Sequence, residues 1–115
     1  MKRLGIFLIV CLTTIFQSCS KENIASNTPA CIRQEIKSNE NTWRIGSVDE
    51  YFFQNRLVYA FSPDDRIIAD GATEIKDEFC NSLCSVGGYG VSNVNMCNGD
   101  DFYQTAILKR NIWKK

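Results

Sequence analysis

Val48-Asp49-Glu50-Tyr51-Phe52-Phe53-Gln54-Asn55-Arg56-Leu57-Val58-Tyr59-Ala60-Phe61 decides the architecture of this chain. Two runs, 48–54 and 57–61, are rich in aromatic and β-branched residues and flank Asn55-Arg56, which predicts an antiparallel hairpin with Asn55 at positive φ. A two-residue loop at that point sets Phe53 opposite Val58 and Phe52 opposite Tyr59. Side chains alternate along a strand, so Tyr51, Phe53, Val58 and Ala60 share one face, and Phe52, Leu57, Tyr59 and Phe61 the other. Both faces are apolar. One helix covers one face of a sheet, so the second face needs a cover of its own or serves as a binding patch. A domain this small needs its large side chains buried, which favours a core on both sides.

The flanks supply the covers. Upstream, Thr28-Pro29 reads as a helix start, with the hydroxyl as cap and proline at the first helical position. Cys31, Ile32, Glu35 and Ile36 follow at helical spacing, and Asn39-Glu40-Asn41 ends the run. Downstream, Ser62-Pro63-Asp64-Asp65 is a turn rather than an acid pair, because neighbouring residues of a strand point to opposite faces. Residues 66–70, 73–75, 79–85 and 105–113 read as further strands, the last with Lys109 and Arg110 to discourage edge-to-edge pairing. The expected fold is α+β: one short N-terminal helix packed on an antiparallel sheet of four or five strands.

The start of the chain is a signal for export. Lys2 and Arg3 precede an uncharged, mostly apolar run over 4–16, too short at about 20 Å of helix to cross a hydrocarbon core of roughly 30 Å. Phe16-Gln17-Ser18-Cys19 resembles the lipobox of bacterial lipoproteins, in which the cysteine thiol is acylated before cleavage. That resemblance implies a signal peptide over 1–18, a lipidated Cys19 carrying palmitate-type chains, a flexible tether over 19–28 and a single domain over 29–115. Loss of Lys2 and Arg3 leaves eleven basic residues against thirteen acids with no basic stripe, so nucleic acid is not an expected partner.

Of the six cysteines, Cys11 falls in the leader and Cys19 carries lipid, leaving Cys31, Cys80, Cys84 and Cys97. Four cysteines in a small exported domain predict two disulfides. The spacings lack the paired C-x-x-C of zinc sites and the chain has no histidine, so neither a metal nor another cofactor is expected. On a strand over 79–85, Cys80 and Cys84 stand about 13 Å apart, beyond the roughly 4.4 to 6.8 Å that a disulfide spans between Cα atoms. That leaves Cys84 with Cys97 or Cys31; the first closes a loop around the glycines and shapes a segment with no core of its own, and the expected pairs are therefore Cys84 with Cys97 and Cys31 with Cys80, which pins the helix to the sheet.

Gly87-Gly88-Tyr89-Gly90 fits neither G-x-G-x-x-G nor a P-loop and reads as a tight turn. Asn98-Gly99-Asp100-Asp101 offers oxygen ligands of the kind calcium takes, but without EF-hand spacing it reads as a turn whose aspartates cap a short helix from Phe102.

In order along the chain, Thr28-Pro29-Ala30-Cys31-Ile32, Val48-Asp49-Glu50-Tyr51, Cys84-Ser85-Val86-Gly87-Gly88, Asn98-Gly99-Asp100-Asp101-Phe102 and Ile112-Trp113-Lys114 resemble a Bacteroidetes-type lipoprotein domain of unknown function. Many such domains carry Cys-Cys-Asp-Gln where this chain has Ser62-Pro63-Asp64-Asp65. The resemblance implies an envelope lipoprotein, held in the outer membrane by acylated Cys19 and facing an envelope or extracellular partner. No catalytic motif is present, so the expected role is a non-catalytic binding module using the hairpin aromatics Tyr51, Phe53 and Tyr59 or the loop Gly87, Gly88 and Tyr89. Two alternatives stand beside it: a small hydrolase built on Asp100 and Asp101, and a structural envelope lipoprotein without a ligand.

Overall fold

The computed structural model describes residues 23–67, 71–88 and 94–115. The leader over 1–18, Cys19, Tyr89 and the end of the strand expected over 66–70 lie outside the described residues. Helix α1 (Ala30–Asn39) is followed by β1 (Ser47–Phe53), β2 (Arg56–Ser62), β3 (Ala72–Asp77), β4 (Ser82–Gly87), β5 (Met96–Cys97), β6 (Asp100–Asp101), α2 (Phe102–Thr105) and β7 (Ile107–Lys114). Five strands form one antiparallel sheet in the order β4-β3-β2-β1-β7, and β5 pairs with β6 in a separate two-stranded ribbon. Among the described residues no helix is long and apolar enough to cross a membrane.

The hairpin forms where expected, with its register shifted. Tyr51 faces Val58, Phe52 faces Leu57 and Phe53 faces Arg56, so the loop is Gln54-Asn55. Both loop residues have positive φ, 51° and 65°, the combination a right-twisted two-residue hairpin demands. The shift is two residues in pairing sum, and an even slip preserves the alternation, so each side chain keeps the face that the pattern gives it.

Each face has its own core. On one, α1 lays Ile32 and Ile36 on Val48, Tyr59, Phe61, Ile112 and Trp113. On the other, Phe102 and Cys97 cover Phe53, Val58, Ala60, Ile75 and Val86. Two consecutive residues of β7 reach the helix-side core because Val48 faces Trp113 while Asp49 faces Asn111, leaving Ile112 as the extra residue of a bulge. The helix and the β5–α2 segment are the two covers that the hairpin calls for, and one disulfide holds each. Cys31 is bonded to Cys80 with Cα atoms 6.0 Å apart, and Cys84 to Cys97 at 5.5 Å.

Several local expectations are corrected. Cys80 is not on a strand: it sits in the β3–β4 turn at φ 69°, because the Asp77 carboxylate accepts the N–H groups of Phe79 and Asn81 and curls the chain there. Pro29, not Thr28, is the N-cap of α1; the Thr28 hydroxyl donates instead to the Ala25 carbonyl at 2.6 Å. The domain also begins before residue 29, since Ile24 and Ala25 pack against the helix-side core and the Ala25 N–H donates to Ile112 O at 2.9 Å. Arg110 stands on the edge strand β7, as expected, and also donates to Glu50 at 3.1 Å and to the Ser26 carbonyl at 2.7 Å, tying this N-terminal segment to the sheet.

Candidate functional site

The sheet has two distinct ends. At the end where β1 begins and β2 and β7 finish, a cleft of about 600 Å³ is lined by Gly46, Ser62, Asp64, Arg66, Thr73 and Lys115, among others. Asp64 is buried there at 3% exposure. Its carboxylate accepts from Arg66 through Nε and Nη2, both at 2.9 Å, and from the Arg66 backbone N–H at 3.1 Å, with Lys115 Nζ at 3.5 Å. The Arg66 bonds hold this carboxyl far below the usual carboxylate range, against the opposing effect of burial. Its backbone works as hard: Asp64 N–H donates to Trp43 O and Asp64 O accepts from Ile67 N–H. An aspartate so engaged neither gives nor takes a proton near neutral pH, and it joins three segments instead. Asp65 also lines the cleft, exposed.

Gly46 makes the junction possible. A Cβ built on it meets Asp64 Cα at 2.7 Å and Pro63 O at 3.0 Å, while its own N–H donates to Ser62 O and its carbonyl accepts from Lys115 N–H. Neither neighbour is a flexible side-chain end. Gly46→Ala is expected to destabilise the domain by about 1–3 kcal/mol through overpacking, read by urea unfolding. Gly88→Ala, whose added Cβ meets nothing nearer than Ala72 Cβ at 3.6 Å, separates a backbone-conformation effect at φ 94° from this steric one.

The other buried acids are equally committed. Glu50, at 7% exposure, accepts from the Tyr59 hydroxyl at 2.9 Å and from Arg110. Burial, and then the Glu50 bond, push the Tyr59 hydroxyl well above its ordinary pKa. Asp77 accepts from Asn81 Nδ2 and Arg56 Nη2, both at 3.0 Å, besides the turn N–H groups. Burial raises its pKa, and the bonds from Asn81 and Phe79 with the Arg56 charge outweigh that and lower it.

These two aspartates set an acid limit. A carboxyl whose folded pKa lies below its unfolded value stabilises the fold above the unfolded value, 3.8 for both, and loses that contribution as pH falls toward the folded one. Thermal unfolding midpoints are therefore expected to hold steady from about pH 7 to 5 and to fall below about pH 4. Asp64→Asn and Asp77→Asn should each flatten that fall while lowering the plateau.

The residues that the sequence offers as sites fall elsewhere. Phe53 and Tyr59 are core, each 1% exposed, and Tyr51 is half-buried with its ring 4.9 Å from that of Phe102, so the three do not form a surface platform. Gly87 and Gly88, at φ 78° and 94°, form the turn that leaves β4. Asn98 and Gly99 turn the chain between β5 and β6; Gln54 Nε2 donates to the Asn98 carbonyl at 3.0 Å and to the Asp100 carboxylate at 2.7 Å. Asp101 caps α2, accepting from Gln104 N–H. Among the described residues no three His, Cys, Asp or Glu side chains converge in a way that could hold a metal ion.

At the opposite end of the sheet lies a feature that the pattern alone does not mark. Phe52 faces Leu57 on β2 and Ile107 on β7, and directly opposed residues share a face, so the three form a row across three strands. They are 38%, 37% and 59% exposed. The row lies on the α1 face of the sheet, beyond the part that Ile32 and Ile36 cover. Its signal in the sequence is the even spacing of Val48, Glu50 and Phe52, which needs the observed register to extend across to Leu57 and Ile107.

No curated protein and no solved structure matches the chain. Residues 34–115, which include the cleft, the whole five-stranded sheet, the β5–α2 cover and the apolar row but begin inside α1 and after Cys31, match the model of DUF6970, a domain of unknown function, and the chain belongs to that family.

Proposed function

We propose that this protein is an envelope lipoprotein of the Bacteroidetes type, anchored in the outer membrane by acylated Cys19, whose domain is a non-catalytic binding module. The observation that carries the binding role is the row Ile107-Phe52-Leu57: three large apolar side chains in register on adjacent strands, left exposed on the α1 face beyond the part that the helix covers. A strip of this kind marks an interaction surface. The absence of a catalytic role is supported by the engagement of Asp64, Glu50 and Asp77 in bonds that hold the fold together.

The row lies at the end of the sheet away from the chain start. Ala25 bonds to Ile112 while Ser26 and Asn27 accept from Arg110, so the N-terminal segment runs antiparallel to β7 and leads from Asn27 back toward the Lys114 end. A tether there presents the hairpin end outward.

The anchor and the row are tested apart. Cys19→Ala is expected to move the protein from the detergent phase to the aqueous phase; retention in detergent would remove the anchor. A photo-crosslinking residue at position 57, in living cells, is expected to trap a discrete partner that one at Gln34, exposed on α1, does not. Equal or absent crosslinking at the two positions would count against the row as a binding face.

A further inference from the structure

We infer that the end of the domain carrying Trp43 and Ile67 rests on the bilayer that holds the anchor, with anionic lipid headgroups as its partner. This deepens the proposal of an acylated Cys19 and rests on it. The placement comes from three observations.

The first is apolar exposure at one end. Trp43 is 50% and Ile67 63% exposed, and both are tied to the same buried residue, since Asp64 N–H donates to Trp43 O and Ile67 N–H donates to Asp64 O. Trp43 lies on the α1–β1 loop and Ile67 on the β2–β3 loop, and these bonds hold the two loops together at one end of the sheet.

The second is the charge beside them. Arg44 follows Trp43 with its guanidinium 5.8 Å from the indole centroid, Lys114 and Lys115 end the chain at the neighbouring cleft, and Arg66 stands 68% exposed while bonded to Asp64. The acids here are Asp64, whose charge is matched by Arg66 and Lys115, Asp65, and Glu35 and Glu74, which line the groove beside Trp43 and Arg44 and face Lys76 at 3.3 and 3.8 Å, with Glu40 after α1. An indole ring and an aliphatic side chain fringed by lysine and arginine suit the headgroup layer, where the ring enters the interface and the cations meet phosphates.

The third is the path of the chain. The segment from Asn27 to Ala25 runs along β7 toward its Lys114 end, the end that holds Trp43 and Ile67. Cys19 precedes Asn23 by four residues, a span of at most about 14 Å fully extended. A lipid on Cys19 therefore keeps this end, and not the hairpin end, within reach of the headgroups.

The test uses the mature, acylated protein in liposomes containing phosphatidylglycerol and lipids brominated near the top of the acyl chain. Trp113 is buried at 6% exposure, so the half-exposed Trp43 should dominate quenching. Quenching of the native protein is expected to exceed that of Trp43→Phe by at least about twofold, and Arg44→Glu with Lys114→Glu to bring it down to the Trp43→Phe level. Hydroxyl-radical footprinting needs no substitution: liposomes should protect Trp43 and Ile67 and leave Phe52 and Leu57 reactive. An acylated, liposome-bound protein with unquenched Trp43 or the reverse footprint would overturn the orientation and leave the anchor standing. A mature chain without acyl groups by mass, remaining free of the liposomes, would overturn both.

Discussion

Replacing both Cys31 and Cys80 by serine is expected to cost the domain about 4 kcal/mol of unfolding free energy, and replacing Cys84 and Cys97 about 3 kcal/mol. The order follows from loop length, since the sequence separations are 49 and 13 and the longer loop loses more chain entropy in the unfolded state. The Cys31 bond also holds the only long helix of the described residues against the sheet; without it, α1 keeps Ile32 and Ile36, both fully buried, and polar contacts that include the 3.3 Å pair of Glu35 with Lys76. A partly exposed pair of that kind contributes at most about 1 kcal/mol. In a domain whose total stability is of order 5–15 kcal/mol, loss of the longer bridge leaves a small margin. Urea unfolding of the two double variants reads both losses. A Cys31–Cys80 loss under about 1 kcal/mol would mean that the helix is held by packing alone.

Phe102→Ala is expected to destabilise by about 3–5 kcal/mol, the range for emptying a buried phenylalanine site. Phe102 is fully buried, and its ring lies 4.9 Å from that of Tyr51 and 5.0 Å from that of Phe53. It is also the main side chain through which the four-residue helix α2 covers its face of the sheet, since Tyr103, Gln104 and Thr105 are exposed. Its buried neighbours are poorly placed to fill the gap, since Cys97 is fixed to Cys84 and Phe53 is clamped in the hairpin. Phe52→Ala, one residue from Phe53 but on the exposed row, should cost less than about 1 kcal/mol. Equal losses at the two positions would contradict the two-sided core.

The hairpin shows why so much of the fold is legible in the sequence. Alternation assigns faces correctly even though the loop is Gln54-Asn55 and not Asn55-Arg56, because a slip of two residues in pairing sum leaves every side chain on its own face. The register itself is hidden, since the turn uses a glutamine at positive φ where glycine or asparagine is the usual choice. The pairing of Cys31 with Cys80 and of Cys84 with Cys97 is correctly anticipated, although the strand expected over 79–85 is wrong at Cys80, which occupies a turn. The two cysteines still serve opposite faces, and that separation is what keeps them apart. The cap of α2 by Asp101 is legible because it is local.

What escapes the sequence depends on contacts between distant segments. Asp64 reads as a turn residue, and its role emerges only when Gly46, Trp43 and Lys115 come together around it. Ile24 and Ala25 look like tether because their partners lie at the far end of the chain. The exposed row needs the reach of α1 and the register of β7 to be known at once.

Non-reducing peptide mapping of the protein recovered from cells tests most directly the claim that the sheet is covered on each face by a separately pinned layer. It should find one peptide pair joining Cys31 to Cys80 and another joining Cys84 to Cys97, with no free thiol among the four. A bridge between Cys31 and either Cys84 or Cys97 would put helix and ribbon on the same side of the sheet and contradict it.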